Sequence, residues 1–205
     1  MSKLFSFSTL TTPIYPNAEK ELPSVEFHQY EVGYIKQQTL PLTHIIVVTE
    51  GSLFLSYDHL FNRQIGTGKI ILLPPGCHFT IRTEEQASVV VFLQKEPIRS
   101  CWKIYGNDDS GTISNELNSL NAKKEIMTFI YLLKEYMEKG LLSESYLKLK
   151  NDELFYLITT YYSKGQLEAF FQPLLSPNAH FHNFVLQNYR KVKTVKEFAN
   201  KYDCS

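Results

Sequence analysis

The chain reads as an α+β protein: an N-terminal antiparallel β-barrel followed by a helical region. Two observations predict this. Between Val25 and Tyr105, short runs rich in Val, Ile, Phe and Tyr are cut by turn signals, and beyond the polar stretch Gly106–Gly111 the apolar period becomes helical. No helical pattern separates the strand-like runs, which excludes the crossovers of a parallel sheet and leaves a sandwich or barrel.

Residues 1–24 carry Pro13, Pro16 and Pro23 among scattered polar side chains and read as an extended arm. The strand-like runs are Val25–Lys36, His44–Thr49, Leu53–Tyr57, Lys69–Leu73, Cys77–Arg82 and Ser88–Leu93. Glu50-Gly51, Asp58–Asn62, Gly66–Gly68 and Pro74-Pro75-Gly76 punctuate them. In Asn115–Lys139, the residues Ile126, Phe129, Ile130, Leu133 and Met137 recur on one helical face, and Gly140 is the stop signal. A second helix is expected from Ser143, a candidate N-cap, to Ser163, with Gly165 after it. Pro173 and Pro177 bound a connector, and Phe181, Phe184, Val185 and Tyr189 form a third stripe. The expected organisation is an arm (1–24), a barrel (25–106), a helical dimerisation and connector region (107–177) and a distinct C-terminal segment (178–205).

The 43% hydrophobic and 14% aromatic content fits a globular protein with a real core. Lysine plus arginine equals aspartate plus glutamate at 21 each, so no global field selects nucleic acid or membrane. Locally the charge separates. Residues 107–153 hold six basic and nine acidic side chains, and residues 180–205 hold five basic against two acidic ones. A basic C-terminal segment points to a polyanion partner there. Cys77, Cys101 and Cys204 lack metal-ligand spacing and read as reduced thiols of a cytoplasmic protein. The N-terminus has no continuous apolar core of a signal peptide, and no apolar run approaches a membrane span.

The run Gly68-Lys-Ile-Ile-Leu-Leu-Pro74-Pro75-Gly76 resembles the second motif of the cupins, G(X)5PXG. That resemblance implies a double-sheet jelly roll, in which a buried strand ends in a proline turn and glycine permits the reversal. Metal-binding cupins place a histidine three residues after that glycine. Here Phe79 holds the position, and His78 falls one residue early, on the opposite face of the strand. Around His44 there is no second histidine, only Ile45–Val48 before Glu50-Gly51. A metal needs three or four converging ligands, so no metal and no cofactor are expected. No GxSxG, GxxxxGK[ST] or CxxC motif is present, and no catalytic residues are assigned. A metal-dependent cupin oxygenase or isomerase is the competing reading.

The candidates for binding a small molecule are Tyr34, His44, His78, Arg82 and Trp102, with Tyr30 and Tyr57 as further aromatic lining. His78 and Arg82 are polar in an otherwise apolar strand, where they meet a carboxylate ligand or simply face solvent. His180 and His182, two residues apart near a helix start, could bind metal together, but such a pair is more often solvated or capping.

The segment Thr194–Ser205 (TVKEFANKYDCS) has a T-x-x-E capping box at Thr194 and Glu197, then Val195, Phe198, Ala199 and Tyr202 on one helical face. Asp203 takes the turn, Cys204 the apolar plug, and Ser205 the cap of a following helix. With the upstream FVLQNYRKVK and the connector ELFYLITTYYS…FFQPLLSP, this resembles the AraC/XylS family of transcription regulators, the connector being similar to those of Bacteroidetes. The resemblance departs at the turn, where Asp203 replaces the glycine common in the family. It implies a cupin-like sensing domain for a small-molecule effector, helices that support a homodimer, and helix-turn-helix units that bind DNA. Arg190, Lys193, Thr194 and Lys196 are the expected DNA-contacting residues. Base contacts come from the recognition helix, expected just beyond Ser205. The 205 residues alone are therefore expected not to bind DNA specifically.

Overall fold

The computed structural model describes residues 24–57, 60–94, 119–140, 143–175, 184–185, 188, 192 and 194–203. The barrel is built from β1 (Val25–Tyr30), β2 (Ile35–Thr39), β3 (Thr43–Glu50), β4 (Ser52–Tyr57), β5 (Leu60–Gly66), β6 (Lys69–Leu73), β7 (His78–Arg82), β8 (Ala87–Gln94) and β9 (Ser119–Asn121). They form a first sheet in the order β1-β8-β3-β6-β9 and a second in the order β2-β7-β4-β5, every pair antiparallel. This is the cupin-like double-sheet jelly roll that the proline-glycine turn implied.

Among the helices of the described residues are α1 (Lys124–Glu138), α2 (Glu144–Tyr161), α3 (Lys164–Phe171) and, in the C-terminal segment, α4 (Val195–Asp203). A 3-10 turn, Gln172–Leu175, continues α3. Ser143 caps α2 by accepting from Tyr146 N, and Ser163 forms a full capping box with Gln166 at the start of α3. Gly140, at φ +65°, ends the first helical segment, as its sequence position required.

The first sheet is buried on both faces. Its outward residues, among them Ile45, Val47, Val90 and Phe92, join Ile126, Ile130 and Leu133 of α1, Leu154 and Ile158 of α2, and Phe170 and Phe171 of α3 in one core. The alternate residues, Ile46, Val48, Val89 and Val91, meet Leu53, Leu55, Phe79 and Ile81 of the second sheet inside the barrel. Burying one Leu or Ile side chain in either layer stabilises the fold by about 1.5–3 kcal/mol. Gly51 turns the chain from one sheet to the other at φ +66°, where an added Cβ would lie 2.1 Å from the Gln86 carbonyl oxygen.

Four expectations need correction. The run Val25–Lys36 is two strands: a turn at Glu31–Tyr34, with Gly33 at φ +79°, carries the chain from the first sheet to the second. Residues 60–62, read as part of a turn, begin β5, a polar edge strand that solvates most of its side chains. The segment from Asn115 is not all helix, because Ser119–Asn121 pairs with β6 and α1 starts at Lys124. Finally, Ser163 and Gly165 belong to a third short helix rather than to the end of the second. The N-terminal arm, Trp102, His180, His182, Arg190, Lys193, Cys101 and Cys204 lie outside the described residues.

Candidate functional site

β1 alternates cleanly. Val25 and Phe27 pack toward the helices, while Glu26, His28 and Tyr30 take the barrel side. In β2, Lys36 and Gln38 are opposite the inward Ile81 and Phe79, so they too face the barrel interior, whereas Ile35, Gln37 and Thr39 are exposed. β3 contributes His44 to the same side, two residues before Ile46. A polar seam thus interrupts an otherwise aliphatic interior where the edge strands β1 and β2 of the two sheets are joined by their turn.

The seam is organised by hydrogen bonds and stacking. Nε2 of His28 is 2.8 Å from Oε2 of Glu26, and this bond holds the Glu26 carboxyl below its usual pKa. The His28 ring stacks on Tyr30 at 6.0 Å, and Tyr30 on Tyr34 at 4.8 Å. Burial pushes the Tyr30 phenol well above its usual value, so it stays protonated. Nδ1 of His44 donates to the Leu42 carbonyl at 2.8 Å, which makes Nε2 an acceptor in the neutral ring. Burial also lowers the His44 pKa, against the opposing pull of that carbonyl and of Glu26. Burial lowers the Lys36 pKa as well, with Glu26 opposing it, and no carboxylate among the described residues lies within ion-pair distance of Lys36.

Tyr34 and His44, singled out from the sequence, therefore border one interior. His78 and Arg82 lie on the outer face of the second sheet. His78 is exposed and bonds Thr39 Oγ1 at 3.1 Å; its neighbour Phe79, 4% exposed, takes the inward position. Arg82 lies over the Phe54 ring at 4.5 Å and bonds Glu84 and Asn62. Trp102 lies outside the described residues. Glu26, His28 and Lys36 were not singled out from the sequence. The signal was the alternation V-E-F-H-Q-Y, obscured when residues 25–36 were read as one strand. Among the described residues no three His, Cys, Asp or Glu side chains converge to hold a metal ion.

In the C-terminal segment, Thr194 Oγ1 accepts from Glu197 N at 3.1 Å and starts α4. Phe198 and Tyr202 pack edge-on against Phe184, with centroids 5.1 and 5.0 Å apart, and leave Lys196 and Lys201 exposed.

A family model described as the ExsA N-terminal regulatory domain matches residues 43–170, more than half of the chain, and spans strands β3 to β9 with α1, α2 and all but the last residue of α3. The chain belongs to that family, among the AraC regulators. Among solved structures it is similar to ToxT from Vibrio cholerae O395 bound to (E)-4-(8-methylnaphthalen-1-yl)but-3-enoic acid. That match is 14% identical with a TM-score of 0.56, and covers 87% of this chain and 70% of ToxT. A second ToxT structure, in a P21 form, is 13% identical with a TM-score of 0.53 and the same coverages. A cupin superfamily protein from Desulfitobacterium hafniense DCB-2 matches 34% of this chain and 64% of its own, at 8% identity and a TM-score of 0.32. Among curated proteins none matches the chain. The likeness to ToxT concerns the fold, and it extends past the barrel into the helices. Among the described residues no helix is long and apolar enough to cross a membrane.

Proposed function

We propose that this ExsA-type regulatory domain senses a small apolar carboxylic acid in the polar seam between β1 and β2, without catalysing a reaction. The observation that carries the reading is Lys36: a half-buried ammonium, directed into an aliphatic barrel, with no described carboxylate at ion-pair distance. An incoming carboxylate restores the charge balance that burial disfavours. The Tyr30–Tyr34 stack offers an aromatic wall for the apolar part of the ligand. ToxT binds a naphthyl butenoic acid, a ligand with this combination of apolar ring and carboxylate.

Calorimetric titration with that naphthyl butenoic acid and with its methyl ester tests the proposal. Saturable binding of the acid, at least tenfold weaker for the ester and for Lys36→Met, is the expected result. Equal binding of acid and ester, unaffected by Lys36→Met, overturns it.

We further infer that α4 is the first helix of a helix-turn-helix. Thr194, Lys196 and Lys201, with Arg190 and Lys193 just before them in the sequence, are suited to phosphate contacts, which fix register and carry no sequence information. In this reading the barrel is the sensing unit and the helices that follow it support dimerisation. Leu149 and Tyr156, 64% and 70% exposed and seven residues apart on one face of α2, supply an apolar stripe for a homodimer. Sedimentation of the Leu149→Lys, Tyr156→Lys variant tests that surface: a dimer undiminished by both charges refutes it.

A further inference from the structure

A groove of about 250 Å3 opens between α1 and α2, away from the barrel interior. Its floor is Phe129 and Leu133 of α1 with Leu157 of α2, and Leu132, 45% exposed, forms its lip. Three charged residues line it: Glu125, Lys150 and Glu153.

Their arrangement decides what the groove accepts. Lys150 is already satisfied. Its Nζ is 2.5 Å from Oε2 of Glu153 and lies over the rings of Phe129 and Tyr146, at 5.4 and 5.2 Å. Glu125 has no ion-pair partner among the described residues, and the nearby Lys123 extends over the Tyr162 ring instead, at 5.9 Å. The groove therefore presents one solvent-exposed carboxylate, without an ion pair among the described residues, beside apolar walls, and its net charge is negative. A carboxylate ligand would have to displace Glu153 from Lys150 and would leave three negative groups against one ammonium. An ammonium ligand needs no displacement, since it meets Glu125 directly and its apolar part takes the floor.

We propose that the α1–α2 groove is a binding site for a small aromatic or aliphatic monoamine, its ammonium on Glu125 and its apolar body on Phe129, Leu133 and Leu157. The volume lies just below the usual range for ligand pockets and suits a one- or two-ring molecule. The site is independent of the barrel seam, and its charge preference is the reverse.

The test is calorimetric titration of the 205-residue protein with tryptamine and, in parallel, with indole-3-propionate, which carries the same ring on a carboxylate. The expected result is saturable tryptamine binding with a dissociation constant on the order of 100 µM. It should weaken at least fivefold in Glu125→Gln and disappear in Leu132→Trp, whose side chain fills the lip from an exposed position. Indole-3-propionate should not bind the Lys36→Met variant, in which the barrel seam is disabled. Equal binding of the two compounds by that variant, tryptamine binding unchanged in Glu125→Gln, or no saturable tryptamine binding at millimolar concentrations each overturns the proposal.

Discussion

Replacing Asn151 with leucine keeps the branched shape of the side chain but removes the polar link between α2 and the barrel. Asn151 is 8% exposed on the buried face of α2. Its Nδ2 donates to the Leu93 carbonyl at 3.1 Å, and its Oδ1 accepts from Gln94 Nε2 at 2.6 Å. In the variant the Leu93 carbonyl, enclosed between the sheet and α2, loses its donor. Leaving such a group unsatisfied costs about 1–3 kcal/mol, while the partly exposed Gln94 amide turns to water at little cost. Leucine recovers part of this as apolar burial, so the expected loss is about 2 kcal/mol, or roughly 4–8 °C in Tm for a chain of this size. Urea unfolding followed by far-UV circular dichroism reads it as a lower midpoint with an unchanged slope. A change below about 0.5 kcal/mol would mean that water satisfies Leu93 and that α2 is not pinned to β8 there, refuting the reasoning.

Lys36→Met removes a charge that burial disfavours, so the variant should match or exceed the parent in stability by up to about 1 kcal/mol while losing acid binding; a clear loss of stability would show that the ammonium has a structural partner. Gly51→Ala should cost at least about 2 kcal/mol, since it combines a left-handed backbone with a Cβ driven into Gln86, and wild-type stability would contradict the φ of +66° there. The folded pKa of His44 is depressed relative to the unfolded ring, so the folded state binds its proton less readily. Stability contributed by neutral His44 is complete above about pH 6.5 and lost as pH falls through the depressed value; His44→Gln should flatten that part of the profile, and an unchanged slope would show that another group controls it. Purified protein should contain far less than stoichiometric iron, manganese or zinc by mass spectrometry, and a stoichiometric metal would revive the enzyme reading. A gel-shift with DNA should show salt-sensitive binding that weakens in the Lys196→Gln, Lys201→Gln variant, and binding unchanged by both substitutions would refute the phosphate-contacting role of α4.

The double-sheet barrel was legible because its turns carry strong chemistry, above all Pro74-Pro75-Gly76 and Glu50-Gly51. The faces of its strands were far less legible. β6 (KIILL) and most of β8 (ASVVVFLQ) are buried on both sides, so neither run shows a two-residue period. β5 was invisible for the opposite reason, since a polar edge strand has the composition of a loop. β9, three residues long, carries too little sequence for any period. Of the seam, Tyr34 and His44 were found by residue type, but Glu26, His28 and Lys36 required the turn at Gly33 that divides β1 from β2. In the helical region, Ser143 and the Ile126–Met137 stripe were read correctly because capping and a 3.6-residue period are local signals.

The first sheet joins the proposed sensor to the helices by its pleat. Successive residues of β3 face opposite layers: His44 and Ile46 the barrel, Ile45 and Val47 the core shared with α1, α2 and α3. A ligand that moves His44 or Ile46 therefore displaces the backbone on which the helical core rests, and close packing leaves that core little room to absorb the shift locally. His44 is opposite Leu93 in the β3–β8 ladder, and Leu93 is the residue whose carbonyl holds Asn151 of α2. Two strands and one hydrogen bond thus separate the seam from the helix that carries Leu149 and Tyr156. For the ligand to act as an effector it must favour one of two arrangements of α2 over the other, because binding both equally shifts nothing. If this route carries the signal, Asn151→Leu keeps its affinity for the acid and loses the acid's effect on dimerisation. Loss of both together would instead mark Asn151 as part of the scaffold of the seam.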